Sequence, residues 1–202
     1  MKFYSQYGQD KWVYENFFKN KKNGVFLEIG ADDGVDKSNT KFFEEYLDWT
    51  GVCVEPSPKR FKLLLENRTC ICEEVAVSDH TGTVEFLDIS GWGKGLSGMV
   101  DSYHKAHKKR IQYEVVNPKN RGKQVISVKA DLLNNILEKH GIFNIDFCSI
   151  DTEGSEFKIL SAINFDKFSI KTIIAENNYN EDNVKNLLLS RGYEFVARVG
   201  PI

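Results

Sequence analysis

The sequence predicts an α/β fold built on a doubly wound, mostly parallel sheet with helices on both faces. Two observations carry that expectation. From residue 25 onward, short apolar runs of strand character alternate with stretches of helical periodicity, the order that a parallel sheet covered by helices requires. The chain has 202 residues, enough for one sizeable core, so a single domain over 1–202 is expected.

The elements follow in order. VFLEI (25–29) reads as a buried strand, and after the loop GADDGVDKS the stretch TKFFEEYLDW puts Phe42, Phe43, Tyr46 and Leu47 on one helical face. VCVE (52–55) is the second strand. Ser57 and Pro58 read as N-cap and first residue of a helix with Phe61, Leu64 and Leu65 inside. A third strand lies within CICEEVAVS (70–78), and the turn DHTG predicts that TVEFLDI folds back on it as a hairpin. VISVKA (125–130) is a strand followed by a helix capped by Asp131 and packed through Leu132, Leu133, Ile136 and Leu137. DFCSID (146–151) is the next buried strand, and Ser155 caps a helix carrying Phe157, Leu160 and Ile163. TIIAE (172–176) precedes a helix with Asn180 as N-cap, Glu181 and Asp182 in its first turn, and Arg191 and Gly192 at its end. GYEFVARV closes the chain.

Residues 91–124 interrupt this rhythm. The stretch opens glycine-rich (GWGKGLSG), and from Lys105 to Lys123 seven Lys or Arg stand against one acid, Glu114. It reads as a basic insertion over one end of the sheet, where loops carry function, with His104 and His107 as loop residues rather than ligands, although a histidine near the pocket could act as base.

Composition excludes several classes. With 27 Lys+Arg against 29 Asp+Glu the chain has no global pull toward nucleic acid or acidic lipid. No apolar run exceeds three residues, far short of the roughly 20 of a membrane-spanning helix. MKFYSQYGQDKW lacks the apolar stretch of a secretion signal, and Cys53, Cys70, Cys72 and Cys148 lie in strand-like segments as reduced core thiols, so a cytoplasmic location is expected.

The chemistry concentrates at strand ends. V-F-L-E-I-G-A-D-D-G sets Glu28, Gly30 and Gly34 in E-x-G-x-x-x-G spacing, and Gly30 lets the backbone approach a ligand closely. The dinucleotide signature G-x-G-x-x-G is absent, which argues for a cofactor without phosphates. Glu55 ends the second strand 21 residues after Gly34, where a carboxylate can accept hydrogen bonds from both hydroxyls of a ribose.

E-I-G-A-D-D-G, G-V-C-V-E-P-S-P, A-V-S-D and above all S-I-D-T-E-G-S-E resemble the FkbM family of S-adenosylmethionine-dependent methyltransferases, on the class I Rossmann-like methyltransferase fold. The N-terminal S-Q-Y-G-Q-D resembles a segment that opens many members. The resemblance implies that Glu28, Gly30, Ala31, Asp32 and Gly34 surround the amino acid end of the cofactor and that Glu55 holds its ribose. It further implies Pro56 and Ser57 along the nucleoside, Ala76, Val77 and Ser78 beside the adenine, and Asp151 beside the sulfonium and the acceptor. Enzymes of this fold usually end in a seventh, antiparallel strand, so either that strand is missing after GYEFVARV or the sheet edge is rearranged.

A hydroxyl acceptor must lose its proton, and Asp151, Glu153, Glu156 and Glu176 stand at or just after strand ends, with Asp151, Glu153 and Glu176 the expected catalytic acids and Glu156 readable as a helix starter. The turn D-T-E-G replaces the Asn/Asp-Pro-Pro-aromatic turn of base N-methyltransferases, which favours O-methylation of a small-molecule or glycan hydroxyl. Asp151 with Glu176 and Asn177 resembles a magnesium-binding arrangement, but the family resemblance requires no metal and none is expected. Two alternatives stay open: a catalytically silent binding protein, and an RNA-directed enzyme using Lys105, Lys108, Lys109, Arg110, Lys119, Arg121 and Lys123 with Tyr103 and Tyr113.

Overall fold

The computed structural model describes residues 1–115 and 122–200; Lys119, Arg121, Pro201 and Ile202 lie outside the described residues. In chain order the elements are α1 (Gln9–Phe17), β1 (Val25–Ile29), α2 (Lys41–Leu47), β2 (Thr50–Val54), α3 (Pro58–Asn67), β3 (Ile71–Glu73), β4 (Ala76–Ser78) and β5 (Gly82–Ile89). A 3-10 turn (Trp92–Leu96) follows, then β6 (Gly98–Met99), α4 (Lys105–Val115), β7 (Lys123–Leu132), α5 (Leu133–Lys139), β8 (Asn144–Ile150), α6 (Glu156–Ala162), β9 (Ser169–Ala175) and α7 (Asn183–Ser190).

The main sheet is parallel throughout, in the order β3-β2-β1-β8-β9. Strand alternation divides its side chains between two cores. Leu27, Ile29, Val52, Val54, Cys148 and Ile150 face α5 and α6, with α7 packed at the margin. Phe26, Cys53 and Phe147 face α1, α2 and α3. The chain winds outward from β1 through β2 to β3, then returns to β8 on the other side. The ends of β1 and β8 therefore form a topological switch point, where open α/β sheets bind ligands.

Several expectations need correction. CICEEVAVS is not one strand: β3 joins the main sheet, whereas β4 belongs to a second sheet of order β4-β7-β5-β6. TVEFLDI makes no hairpin with β4, because β7 lies between them, parallel to β4 and antiparallel to β5. Asp131 does not cap α5, since β7 runs on through Leu132, the N-cap; its carboxylate accepts from the Leu132 N–H and the Asn135 amide. Ser57 and Ser155 occupy N-cap positions but make no side-chain cap bond. On α3 only Leu64 is buried, and Leu65 is 55% exposed. On α6, Phe157 lies outside while Glu156, Ile159 and Leu160 turn inward. α7 begins at Asn183 with Asp182 as N-cap, because Asn180 is left-handed (φ 55°) and Asn177 holds Glu181 in a loop.

The insertion is not a loop. Residues 105–115 form α4, and His107 on it is fully buried. Cys53 and Cys148 are buried and Cys70 and Cys72 half-buried, all as free thiols. At the N-terminus, Tyr4, Ser5 and Lys11 donate to the fully buried Asp10, and Ser5 bridges to Lys37 beside the β1 loop. Among the described residues no strand follows β9, so its outer edge pairs with no strand; Tyr193 beside it donates its hydroxyl to the Ile170 carbonyl at 2.7 Å. No helix of the described residues is long and apolar enough to cross a membrane.

Candidate active site

Gly30 closes the switch point. Its backbone is left-handed (φ 84°), and a Cβ there would lie 1.8 Å from the Asp151 carbonyl oxygen. Both demands exclude a side chain. The Gly30 and Ala31 N–H groups donate to the Val54 carbonyl, and the Asp151 N–H donates to that of Ile29, so the ends of β1, β2 and β8 are tied together. Around them opens a cleft of 1440 Å³, larger than a typical single-ligand pocket and roomy enough for two reactants.

Glu55 is buried in this cleft wall. One carboxylate oxygen accepts from the Asp32 N–H at 2.9 Å and the other from the Ser57 N–H at 2.8 Å. Each oxygen keeps a free lone pair, and burial pushes the carboxyl up to about 8, opposed by the Ser57 N–H and reinforced by nearby Asp32. A buried acceptor so placed is satisfied by two hydroxyl donors. Pro56, Ser57, Val75, Ala76 and Val77 continue the same wall. Ser78 does not reach it and bonds Asp79 and His80 instead.

The first glycine loop has a second layer. Glu28 accepts from Ser38 Oγ, the Asn39 N–H, Thr40 Oγ1 and Arg68 Nη1, so its carboxylate holds the 38–40 loop beneath the cleft. Gly34 packs against α3, where a Cβ would lie 2.6 Å from Leu64 Cδ1. Asp32, left-handed at φ 49°, pairs with Arg60 at 3.2 Å and with Lys94 of the insertion at 2.6 Å. The insertion thus folds over the Asp32 side of the cleft.

The D-T-E-G-S-E block builds the floor. Glu156 turns back to accept from the Thr152 N–H and Oγ1 and from the Gly154 N–H, which accounts for its burial and removes it from the candidate bases. That clamp presents Asp151 to the cleft and forces Glu153 into a left-handed conformation (φ 58°). Asp151, Glu153 and Glu176 bring one carboxylate oxygen each within 4.8 Å of the others. Charges so close cannot all be expressed, and protons are shared. Burial first, then repulsion by Asp151, raises Glu153 and Glu176 well above the usual carboxylate range. Asp151 is open to the cleft, where the surrounding walls desolvate and raise it, though a hydrogen bond with Glu176 favours its anion. Asn177 commits its amide to Glu181, so it completes no acid, acid-amide set with Asp151 and Glu176.

Tyr179 was not anticipated: its hydroxyl is 2.7 Å from Nδ1 of His107, read from the sequence as a loop residue, and that nitrogen lies 3.3 Å from Glu153 Oε2, while Arg110 of the basic stretch lines the cleft. A signal existed in the four-residue spacing of Tyr103, His107 and Ile111, one helical face within the basic stretch.

No curated protein and no solved structure matches the chain. A family model for the methyltransferase FkbM domain matches residues 28–195, spanning the first glycine loop, Glu55, the D-T-E-G-S-E block and α7. With that match laid over most of its length, the chain belongs to the FkbM methyltransferase family.

Proposed function

We propose that this protein is an S-adenosylmethionine-dependent O-methyltransferase acting on a hydroxyl of a small molecule or glycan. The observation that carries the reading is Glu55: a buried carboxylate with two unfilled acceptor positions, beside the Gly30 turn at the switch point. Its donor set suits the ribose diol of a nucleoside, and the neighbouring apolar Val75 and Val77 suit an adenine. Gly34 and Ser78 support the walls from behind, whereas Glu28, Gly30, Ala31, Asp32, Glu55, Pro56, Ser57, Ala76 and Val77 line them.

Bound S-adenosylmethionine supplies a methyl group already activated on a sulfonium. The residues of this chain hold the acceptor oxygen in line with it, and such positioning accounts for roughly 7 to 11 kcal/mol of a barrier. Asp151, whose backbone carbonyl abuts Gly30, complements the positive charge and orients the hydroxyl. The proton of that hydroxyl passes to the cluster of Asp151, Glu153 and Glu176, with no metal ion required. The acidic floor also argues against a polyanionic acceptor, since phosphates would be repelled there; Lys105, Lys108 and Lys109 on α4 are solvent-exposed. A cytoplasmic location fits a chain of free thiols that uses this cofactor.

The test is incubation with methyl-labelled S-adenosylmethionine and a panel of methyl glycosides, phenols and hydroxy acids, read by mass spectrometry. Label on an acceptor oxygen supports the reading. Label on nitrogen only, or none with calorimetric S-adenosylhomocysteine binding also absent, rejects it.

A further inference from the structure

Glu153 has one side on the cleft and the other against the insertion. There His107 is fully buried, stacked on the Tyr103 ring with centroids 4.6 Å apart, and its Nε2 lies 3.4 Å from the Leu96 carbonyl. That carbonyl can only accept, so Nε2 carries the hydrogen and Nδ1 presents a lone pair. Tyr179 Oη is hydrogen-bonded to this nitrogen at 2.7 Å, and Glu153 Oε2 lies beside it at 3.3 Å, close enough to take Tyr179's place when the phenol turns away. Glu153 Oε2 also accepts from the Asn178 amide at 3.2 Å, which fixes the carboxyl between cleft and imidazole.

We propose that His107 is the positioning residue of the proton path: it holds Glu153 at the cleft wall and takes over its proton as Glu153 receives that of the acceptor hydroxyl. This rests on the methyl-transfer reading above. The acceptor O–H bond breaks as its oxygen bonds the methyl carbon, and the electron pair of the S–CH3 bond stays on sulfur. Glu153 gains the acceptor's proton on one oxygen while the proton on Oε2 passes to Nδ1. The positive charge that began on the sulfonium ends on the imidazolium, and Glu153 is neutral before and after.

The groups facing His107 suit this exchange. Tyr103 and the Leu96 carbonyl approach from the segments before α4, Glu153 from the β8–α6 loop and Tyr179 from the β9–α7 loop. On its own helix, His104 lies over the Tyr179 ring with Glu181 3.9 Å beyond, and Arg110 follows one turn on. Burial lowers the imidazole below its ordinary value, opposed by the Leu96 carbonyl and reinforced by Arg110, so it rests neutral and takes a proton only as that of the acceptor arrives at Glu153.

The experiment is a nitrogen-15 histidine NMR titration of the full chain from pH 5 to 10, with His107→Asn to assign the signal and Glu153→Gln as the probe. Expected are a neutral His107 protonated on Nε2, and an alkaline inflection at Nδ1 as Glu153 ionises that disappears in Glu153→Gln. A His107 titration identical in wild type and Glu153→Gln overturns the proposal, and needs no cofactor to be seen. On the acceptor panel, His107→Asn should lose about 100-fold or more in kcat at pH 7. The deficit should shrink toward alkaline pH, where Glu153 ionises unaided. A loss of equal size at every pH means a merely structural residue and overturns it as well. Calorimetry with S-adenosylhomocysteine separately decides the cofactor reading.

Discussion

Replacing Arg68 with Met tests how the glycine loop after β1 is held from beneath. The Arg68 side chain is fully buried. It donates through Nη1 to Glu28 Oε2 at 3.0 Å, to the Gly34 carbonyl at 3.2 Å and to Ser38 Oγ at 3.3 Å, through Nη2 to Thr40 Oγ1 at 2.9 Å, and through Nε to Glu44. Met has a similar length and fills most of the space, so the cavity cost is small and the electrostatic loss dominates. Breaking a buried pair by removing one partner costs about 3–5 kcal/mol. The low end applies, because both acids keep other donors: Glu28 retains Ser38, Asn39 and Thr40, and Glu44 retains Thr69 and Cys70. At about 2–4 °C per kcal/mol for a chain of this size, a loss of about 3 kcal/mol lowers Tm by about 6–12 °C.

Urea unfolding and calorimetry at pH 7 measure the loss. Burial opposes ionisation of Glu44, but Arg68 and Thr69 overcome it and hold the carboxyl below its ordinary value. A depressed folded pKa contributes stability above the unfolded value and loses it as pH falls through the folded one. The acid-side decline in stability should therefore be shallower in Arg68→Met than in the wild type. Pairing the substitution with Glu28→Gln should be less than additive. A loss under about 1 kcal/mol, or a more stable variant, would refute the argument that this guanidinium holds the loop.

Three further outcomes follow from the site. Glu55 must be ionised to accept two hydroxyl donors, and its raised pKa of about 8 means that S-adenosylhomocysteine affinity rises with pH through that value; calorimetry should show the trend lost in Glu55→Gln, and a pH-independent wild type would remove Glu55 from the ribose. Asp151→Asn should cut kcat on the acceptor panel at least 100-fold with little change in cofactor affinity, and chelator should leave wild-type turnover intact; chelator-sensitive activity rescued by magnesium would end the metal-free reading. Glu176 is raised by burial and by Asp151, so the folded state binds its proton more tightly and stability falls as pH rises above the unfolded value, by up to about 1.4 kcal/mol per pH unit; Glu176→Gln should be more stable than wild type at pH 8 in urea unfolding, and a destabilised variant would contradict the crowding of carboxyls.

The parts of the fold legible in the sequence are those whose signal is local. β1, β2 and β8 are short apolar runs ending in a glycine or an acid, and α2 shows its buried face directly. The second sheet was not legible, because β4 and β5 meet only through β7, some fifty residues later in the chain. Periodicity also misjudged α6, where three N–H and O–H donors of Thr152 and Gly154 turn Glu156 inward and leave Phe157 outside. Helix α1 escaped notice because its register is set by Asp10 accepting from Ser5 and Tyr4, a contact with no apolar pattern.

The same distinction runs through the site. Spacing found Glu55, Gly30 and Asp151, since each ends a strand or begins the loop after one. It could not say which acids keep acceptor capacity for a ligand: Glu28 and Glu156 match the motifs as well as Glu55 and Glu153 do, yet each is met by several donors of the fold, although Glu28 also lines the cleft. What separates the two groups is how many donors the fold supplies. Among the described residues Glu28 receives bonds from five residues and Glu156 from two, whereas Glu55 is left one donor per oxygen and Asp151 none beyond its hydrogen bond with Glu176. Carboxylates with unused acceptor capacity beside a cleft are the ones a ligand can satisfy, and that count is fixed by tertiary contacts such as the return of α4 onto the β8–α6 loop.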